Sequence, residues 1–310
     1  MNAIARFTLA LVMLTAPMTS WGGVADGERL QTLAYAFPAY DKVEGLEYYS
    51  GRDEYEAAVN DHNFEFTKLS YSSDGLKVIA YLYKPRLIDG KHLPAIIFNR
   101  GSGPTGDSAP LLISLFHRLA IHGFVVLAPQ YRGSDGGEGH DEIGGADLDD
   151  VKNVVPLARS LGYIDMSNLF MYGESRGGMM TYQAVRDRTP INAAAVFGAL
   201  TDLEVMNQSP YVQKAIPQIW PDYEVHKDEI IRKRSAKYWA DQLSTPLLIM
   251  NGGADQQVDA SQPLELAEQL QRLGKTYELI IYAGDNHFLA KNREDRDRRV
   301  IGWFESHLKR

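Results

Sequence analysis

The chain has 310 residues, no cysteine and a formal net charge of −8. Without cysteine it can form no disulfide, no thiolate nucleophile and no Cys-ligated metal site. A chain of this length buries a large core without such cross-links. Its acidic balance argues against nucleic acid as a partner.

The first 25 residues have the pattern of an export signal. Arg6 is their only charged side chain, residues 7–14 are apolar, and Gly23 and Ala25 place small residues where a signal peptidase reads them. The apolar run is too short to span a bilayer comfortably. The alternatives are an uncleaved anchor or a buried N-terminal helix. The pattern predicts a signal peptide over residues 1–25 and a periplasmic or secreted protein, with no stable membrane insertion after cleavage.

The next segments change from irregular to strand-like. Residues 26–63 show no clear hydrophobic period and are predicted to form an irregular or helical lead-in. Residues 64–69 alternate between apolar and polar side chains, and a second run covers residues 76–83. The turn signal at residues 72–75 lies between them, so the two runs predict an antiparallel hairpin.

Short apolar runs and helix patterns then alternate along the chain. The runs are rich in Val, Ile and Leu, as strands buried on both faces require, and the alternation predicts a mostly parallel central sheet with helices on both faces. Residues 147–161 and 263–273 are predicted helices. Residues 202–243 carry no strand pattern, and we expect a helical cap whose aromatic side chains line the substrate pocket or form the cap's own core. The runs are 95–99, 124–128, 169–172, 193–197, 247–251 and 278–282.

A nucleophile motif lies between one of these strands and a helix. Gly173-Glu174-Ser175-Arg176-Gly177 matches G-x-S-x-G, in which the serine occupies a strained turn and the glycines avoid collisions across it. The following helix directs its N–H groups toward the site, so the backbone N–H of Arg176 is a candidate oxyanion donor. The alternative is a Gly/Ser-rich turn before a helix. The motif predicts an α/β-hydrolase fold with Ser175 as nucleophile.

The base of such an enzyme follows the nucleophile and the acid in chain order. His226, His287 and His307 follow Ser175. His226 lies in the predicted cap and His307 in the last helix, whereas His287 comes directly after the final strand. We therefore predict His287 as the base, with a surface-loop histidine as the alternative.

The predicted acid follows the preceding strand. Asp255 comes after the strand at 247–251 and two glycines that permit a sharp turn. A carboxylate there would accept the Nδ1–H of His287 and stabilise the imidazolium. Asp202 and Asp259 are rival candidates.

A glycine-rich loop over residues 100–108 has two interpretations. Its glycines match the spacing of a dinucleotide fingerprint and of a Walker-type loop. However, Asp107 occupies the Walker lysine position, and the acidic residue expected about 20 residues on is missing. In a hydrolase the same loop supplies the second oxyanion donor. We predict that the N–H of Arg100 or Gly101 is this donor.

Six short segments between residues 64 and 308 together resemble the sequence motifs of a known family. They are Ser73-Asp74-Gly75-Leu76, Gln130-Tyr131-Arg132-Gly133-Ser134, Asp147-Leu148-x-Asp150-Val151, Tyr172 to Gly178, Gly253 to Asp255 and Asn286-His287-Phe288. With these segments the chain resembles the catalytic domain of the prolyl oligopeptidase family. The resemblance implies a Ser175–Asp255–His287 triad over a hydrolase domain at 64–310.

The same resemblance implies further features of the site and its substrate. It places Tyr131 and Arg132 near the active site, where they are predicted to bind substrate. Arg100 and Arg132 would favour an anionic group there or form structural salt bridges. The family's H-G-G-P loop is here Arg100-Gly101-Ser102-Gly103-Pro104, and residues 26–63 leave no room for the family's β-propeller.

The predicted reaction is cleavage of an ester or peptide bond through an acyl-enzyme. The substrate would be a small ester or a short peptide, and no cofactor or metal is expected. One alternative is a carboxylesterase or acyl hydrolase without peptidase activity. Another is a non-catalytic binding protein on the same fold.

Overall fold

A computed structural model describes residues 23–102, 106–206, 216 and 219–310 of the protein. Its centre is a nine-stranded sheet with the order β1-β2-β3-β5-β4-β6-β7-β8-β9. Every strand predicted from the sequence is present. The strands are β1 Arg29–Leu33, β2 Phe64–Ser73, β3 Leu76–Pro85, β4 Leu93–Asn99, β5 Val125–Pro129, β6 Ile164–Glu174, β7 Ala193–Phe197, β8 Leu247–Gly252 and β9 Tyr277–Tyr282.

The pairing within the sheet changes from antiparallel to parallel along this order. The pairs β1/β2, β2/β3 and β3/β5 are antiparallel, and the tight turn between β2 and β3 pairs Ser73 with Leu76. From β5 through β4 to β9 every pair is parallel. The carboxyl ends of the parallel strands therefore meet at one edge, where α/β folds bind their ligands. This confirms the predicted mostly parallel sheet with an N-terminal antiparallel hairpin.

Helices cover both faces of the sheet. In β4, Ile96 and Phe98 belong to the apolar cluster that contains Phe304, whereas Ala95 and Ile97 belong to the cluster on the opposite face, which contains Met180. A central strand buried in this way on both faces reads as a continuous apolar run. The helices of the described residues are α1 Arg52–Asn60, α2 Ala109–Ala120, α3 Asp147–Lys152, α4 Val154–Ser160, α5 Arg176–Arg186, α6 Leu203–Met206, α7 Tyr223–Arg234, α8 Ser261–Arg272 and α9 Arg293–Ser306.

The strand β1 lies in the lead-in that the sequence predicts to be irregular or helical. Four of its five residues pair antiparallel with β2, and none of the five is fully buried. A strand at the edge of a sheet is covered less well than a central one, so its sequence has no apolar alternation to reveal it. The prediction of an irregular or helical segment is wrong for residues 29–33, because a strand shows apolar alternation in its sequence only when one of its faces is buried.

One predicted helix is divided into two. The helix expected over residues 147–161 is interrupted at Asn153, where α3 ends and α4 begins. Pro156 is the third residue of α4, and a proline there has no N–H for the helix ladder and clashes with the preceding turn. The side-chain amide of Asn153 donates to the Ser73 hydroxyl at 3.0 Å, which fixes the break against the β2–β3 turn.

The predicted cap is helical in the residues that the structure describes. Between β7 and β8 it contains α6, α7 and two short 3₁₀ turns. The Trp220 and Tyr223 rings stack at 6.0 Å and belong to the buried core, and the Trp220 indole N–H donates to the Glu142 carbonyl at 2.9 Å. For Trp220 and Tyr223, these contacts favour a place in the packed core over a place in the substrate pocket. Among the described residues we find no helix with the length and apolar character needed to cross a bilayer.

Candidate active site

Ser175 lies at the turn between β6 and α5, as predicted. Its φ of 51° and ψ of −119° lie outside the regions that L-residues favour. Its N–H donates to the Phe197 carbonyl at 2.9 Å, and its carbonyl accepts from the N–H of Gly178 at 3.0 Å and of Met179 at 3.2 Å. Hydrogen bonds from both sides thus stabilise a strained strand-to-helix turn, the geometry of a nucleophile elbow.

The glycines that flank Ser175 permit very close backbone packing. A Cβ atom on Gly177 would lie 2.0 Å from the carbonyl oxygen of Asn99 at the end of β4. A Cβ atom on Gly173 would lie 2.5 Å from the Gly177 carbonyl oxygen. No side chain fits at either position without backbone movement. The elbow is therefore packed directly against the strand that leads into the glycine-rich loop.

His287 and Asp255 meet at the carboxyl edge of the sheet. The Nδ1 atom of His287, in the loop after β9, lies 2.7 Å from Oδ2 of Asp255, in the loop after β8. The second oxygen of Asp255 accepts the backbone N–H groups of Gln257 at 2.8 Å and Val258 at 2.9 Å. Both side chains are almost fully buried. This arrangement orients the imidazole and leaves its Nε2 atom for proton transfer.

The His287 ring approaches the same strand end that contacts Ser175. A Cβ atom on Gly198 would lie 2.9 Å from Cε1 of His287, and Gly198 has a φ of 55°. The preceding residue, Phe197, accepts the Ser175 N–H. The nucleophile turn and the imidazole therefore pack on the end of β7 together. Sequence reasoning missed Gly198, although a glycine directly after a buried strand was the available signal.

The rival candidates for acid and base lie in other environments. Asp202 pairs with Lys237, and Asp259 accepts the N–H of Ser261. His226 is exposed beside Glu229 on α7. His307 lies near the end of the chain, where its ring packs against Trp303 at 4.5 Å. In the described structure only Asp255 and His287 contact each other among these candidates.

Asp285 organises the loop that carries His287, a role that no local pattern in the sequence indicates. Its carboxylate accepts the backbone N–H groups of Asn286, Lys291 and Asn292 and the side-chain amide of Asn292. Burial opposes its charge, but these hydrogen bonds lower the pKa of Asp285. An ionised Asp285 therefore fixes the loop around His287 without contacting its ring.

The glycine-rich loop contacts the nucleophile through Gly101. A Cβ atom on Gly101 would lie 3.3 Å from Cβ of Ser175. The Arg100 guanidinium is buried and donates to the Gly101 and Gln130 carbonyls and to the Ser134 hydroxyl. The loop thus lies where an oxyanion loop must be, and the identity of the second donor stays a prediction. Gly103, Pro104 and residue 105 lie outside the described residues.

The nucleotide-binding interpretation of this loop gains no support from Asp107. Its carboxylate accepts the hydroxyl groups of Tyr35 at 2.6 Å and Tyr81 at 3.0 Å. A fixed carboxylate at the Walker lysine position would repel a phosphate.

The two predicted substrate-binding residues have structural partners. The Tyr131 hydroxyl is buried and donates to the Arg100 carbonyl at 2.9 Å. The Arg132 guanidinium forms salt bridges with Asp150 at 2.8 Å and Asp74 at 2.7 Å. Of the two interpretations for Arg132, the contacts favour the salt bridge. Substrate contact by Tyr131 or Arg132 stays a prediction that these contacts do not support.

The side chain of Arg176 connects the start of α5 to the first residue of α3 and to the loop before it. Its guanidinium pairs with Asp141 at 2.6 Å and with Asp147 at 2.7 Å, and it lies 4.5 Å above the Tyr131 ring. Burial alone would raise the pKa of Asp147, but Arg176 and two backbone N–H groups lower it. The ion pairs therefore position the residue whose backbone N–H is the predicted oxyanion donor.

The sequence of this chain matches known proteins across most of its length. The family model described as the prolyl oligopeptidase family matches residues 113–310. The uncharacterized peptidase YuxL of Bacillus subtilis is 28% identical over 76% of this chain and 38% of its own length. The uncharacterized peptidase YtmA of the same species is 25% identical over 77% of this chain and 92% of its own length.

The structure is similar to that of an acylaminoacyl peptidase. The Pyrococcus horikoshii enzyme superposes with a TM-score of 0.66 at 23% identity, over 81% of this chain and 43% of the enzyme. This likeness confirms the α/β-hydrolase fold. The chain thus spans about two fifths of the length of YuxL and of the P. horikoshii enzyme, but nearly all of YtmA.

Proposed function

Because the chain belongs to the prolyl oligopeptidase family, we propose that it is a serine hydrolase that cleaves peptide bonds or related esters through an acyl-enzyme. One observation carries the proposal. The His287–Asp255 hydrogen bond of 2.7 Å lies beside the same strand end as the strained turn of Ser175. A serine, a carboxylate and a histidine that follow one another in this chain order and meet at the carboxyl edge of the sheet are the components of a catalytic triad.

In the proposed mechanism His287 removes the Ser175 proton while the oxygen attacks the substrate carbonyl. Asp255 stabilises the imidazolium that forms. The developing oxyanion accepts hydrogen bonds from the Arg176 N–H and from an N–H of the loop at residues 100–101. His287 then protonates the leaving group, and a water molecule activated by the same imidazole releases the acyl group.

The choice between a peptide and an ester rests on the family and its named members. YuxL and YtmA are named as peptidases, and the P. horikoshii structure is that of an acylaminoacyl peptidase. These names favour a short peptide or an aminoacyl amide as substrate. An ester has a better leaving group and passes through the same intermediates, so carboxylesterase activity is the second candidate.

A substrate panel tests the proposed activity. We expect the protein to hydrolyse p-nitrophenyl esters and aminoacyl p-nitroanilides, and the Ser175→Ala variant to lose both activities by about 10⁴-fold or more. Turnover of esters without any anilide would decide for a carboxylesterase. Wild-type turnover that the Ser175→Ala variant retains would contradict the proposal.

We also propose that the protein is exported and that its leader is removed near Ala25. Residues 1–22, which carry most of the signal pattern, lie outside the described residues. In support, sheet contacts begin directly after this point, because the Gly27 N–H donates to the Ser72 carbonyl at 2.8 Å. Expression with the full leader should give a periplasmic or secreted protein whose N-terminal sequence begins at or near Asp26. An intact N-terminus in the cytoplasmic fraction would contradict this proposal.

A further inference from the structure

The residue before the nucleophile, Glu174, is a buried acid whose side chain has no partner among the described residues. Only 4% of its surface is exposed, yet its carboxylate has no hydrogen bond and no ion pair with any residue that the structure describes. Burial raises the pKa of the Glu174 carboxyl, and electrostatic interactions with His287, Arg296 and Arg100 oppose this rise. A carboxylate in such a place is costly unless a ligand supplies its counter-charge.

Glu174 lines a small cavity beside the catalytic residues. Phe197 and Phe288, the neighbours of Gly198 and His287, form part of the wall, and Tyr48 and Tyr49 complete its aromatic side. The Phe288 ring stacks on Tyr48 at 6.1 Å and meets Tyr49 edge-on at 5.4 Å. Aromatic faces next to a carboxylate are a typical environment for an organic cation.

Each arginine that lines this cavity has an ion-pair partner. Arg118 pairs with Asp297 at 2.6 Å, and Arg296 pairs with the same carboxylate at 2.7 Å. Arg293 pairs with Glu54 at 3.4 Å. Glu174 is therefore the one charged side chain lining this cavity that has no ion-pair partner among the described residues.

The carboxylate of Glu174 is close to the point of attack. A Cβ atom on Gly101 would lie 3.5 Å from Cδ of Glu174 and 3.3 Å from Cβ of Ser175. Cδ of Glu174 and Cβ of Ser175 are therefore no farther apart than the sum of these two distances. An amino group on the carbon next to the substrate carbonyl is therefore close enough to reach the Glu174 carboxylate while the carbonyl carbon lies at Ser175.

We propose that Glu174 binds the α-ammonium group of the substrate, so that the enzyme prefers acyl groups with an unblocked amino terminus. This specificity rests on the proposed hydrolase function and deepens it. The ammonium group would donate hydrogen bonds to the Glu174 carboxylate while the adjacent carbonyl faces Ser175. Hydrogen bonds between charged groups are strong enough to give a preference of about tenfold or more.

The test compares phenylalanine methyl ester with N-acetylphenylalanine methyl ester at pH 7, where most α-amino groups are protonated. The two esters share the side chain and the leaving group. For the wild type we expect kcat/KM to be about tenfold or more higher for the free amine. Glu174→Gln should abolish most of this ratio, and Glu174→Asp should retain part of it.

The control is Glu268→Gln, the same substitution on the exposed face of α8, where Glu268 pairs with Arg272. It should leave the ratio of the two esters unchanged. A wild type that hydrolyses both esters equally, or a Glu174→Gln variant with the wild-type ratio, would overturn the role of Glu174 alone. A protein that hydrolyses neither ester and does not react with a fluorophosphonate would overturn the hydrolase function, and the inference with it.

Discussion

The Asp255→Asn variant should lose about 10⁴-fold in kcat while the protein stays folded. Oδ1 of Asp255 accepts two backbone N–H groups, from Gln257 and Val258, so the amide oxygen of an asparagine would occupy this position. Its NH₂ group would then point toward Nδ1 of His287 and donate to it. The proton of the imidazole would move to Nε2, which could no longer accept the proton of Ser175.

The measurement is kcat on a p-nitrophenyl ester together with a thermal unfolding curve. Asp259→Asn is the matched control because Asp259 follows the same strand and accepts the backbone N–H of Ser261. It should change kcat by no more than a few-fold. Full activity of Asp255→Asn, or a larger loss in Asp259→Asn, would show that the acid is assigned to the wrong residue.

The Asp150→Ala variant should lose about 3 kcal/mol of unfolding free energy, because it leaves the buried Arg132 guanidinium with only the partly exposed Asp74 as its counter-charge. Asp150 is fully buried, and its carboxylate accepts hydrogen bonds from the side chain and backbone N–H of Arg132 and from the Ser73 hydroxyl. Its loss would therefore remove the carboxylate contacts that α3 makes with the β2–β3 turn and with the segment after β5.

Urea unfolding of the purified variant checks this value. Asp149→Ala is the control on the same helix, since Asp149 is only partly buried and its ion pair is with Lys152. It should cost about 1 kcal/mol or less. Equal destabilisation by the two substitutions would mean that the Arg132–Asp150 salt bridge is not the reason for the loss.

The features that the sequence predicts best are those with a strong local signal. Runs such as 95–99 and 193–197 are buried on both faces, and they form strands at the predicted places. The elbow around Ser175 combines a strand, two glycines and a helix within a few residues. The chain order of Asp255 and His287, each directly after a strand, follows from the topology of the fold.

The features that the sequence does not reveal depend on contacts between distant segments. Arg176 pairs with Asp141 and Asp147, some 30 residues upstream, and no local pattern selects these partners. Arg132 pairs with Asp150 although its position near the site favoured a substrate contact. Glu174 occupies a variable position of its motif, and only the cavity around it indicates a role.

The most direct measurement is the reaction of the protein with a fluorophosphonate probe, followed by mass spectrometry of the labelled peptide. The probe reacts with a serine only when a neighbouring base and oxyanion donors activate it. We expect one adduct, on Ser175, and no labelling of the Ser175→Ala and Asp255→Asn variants at the same exposure. An unlabelled wild type, or an adduct on another serine, would contradict the assignment of Ser175 as the nucleophile.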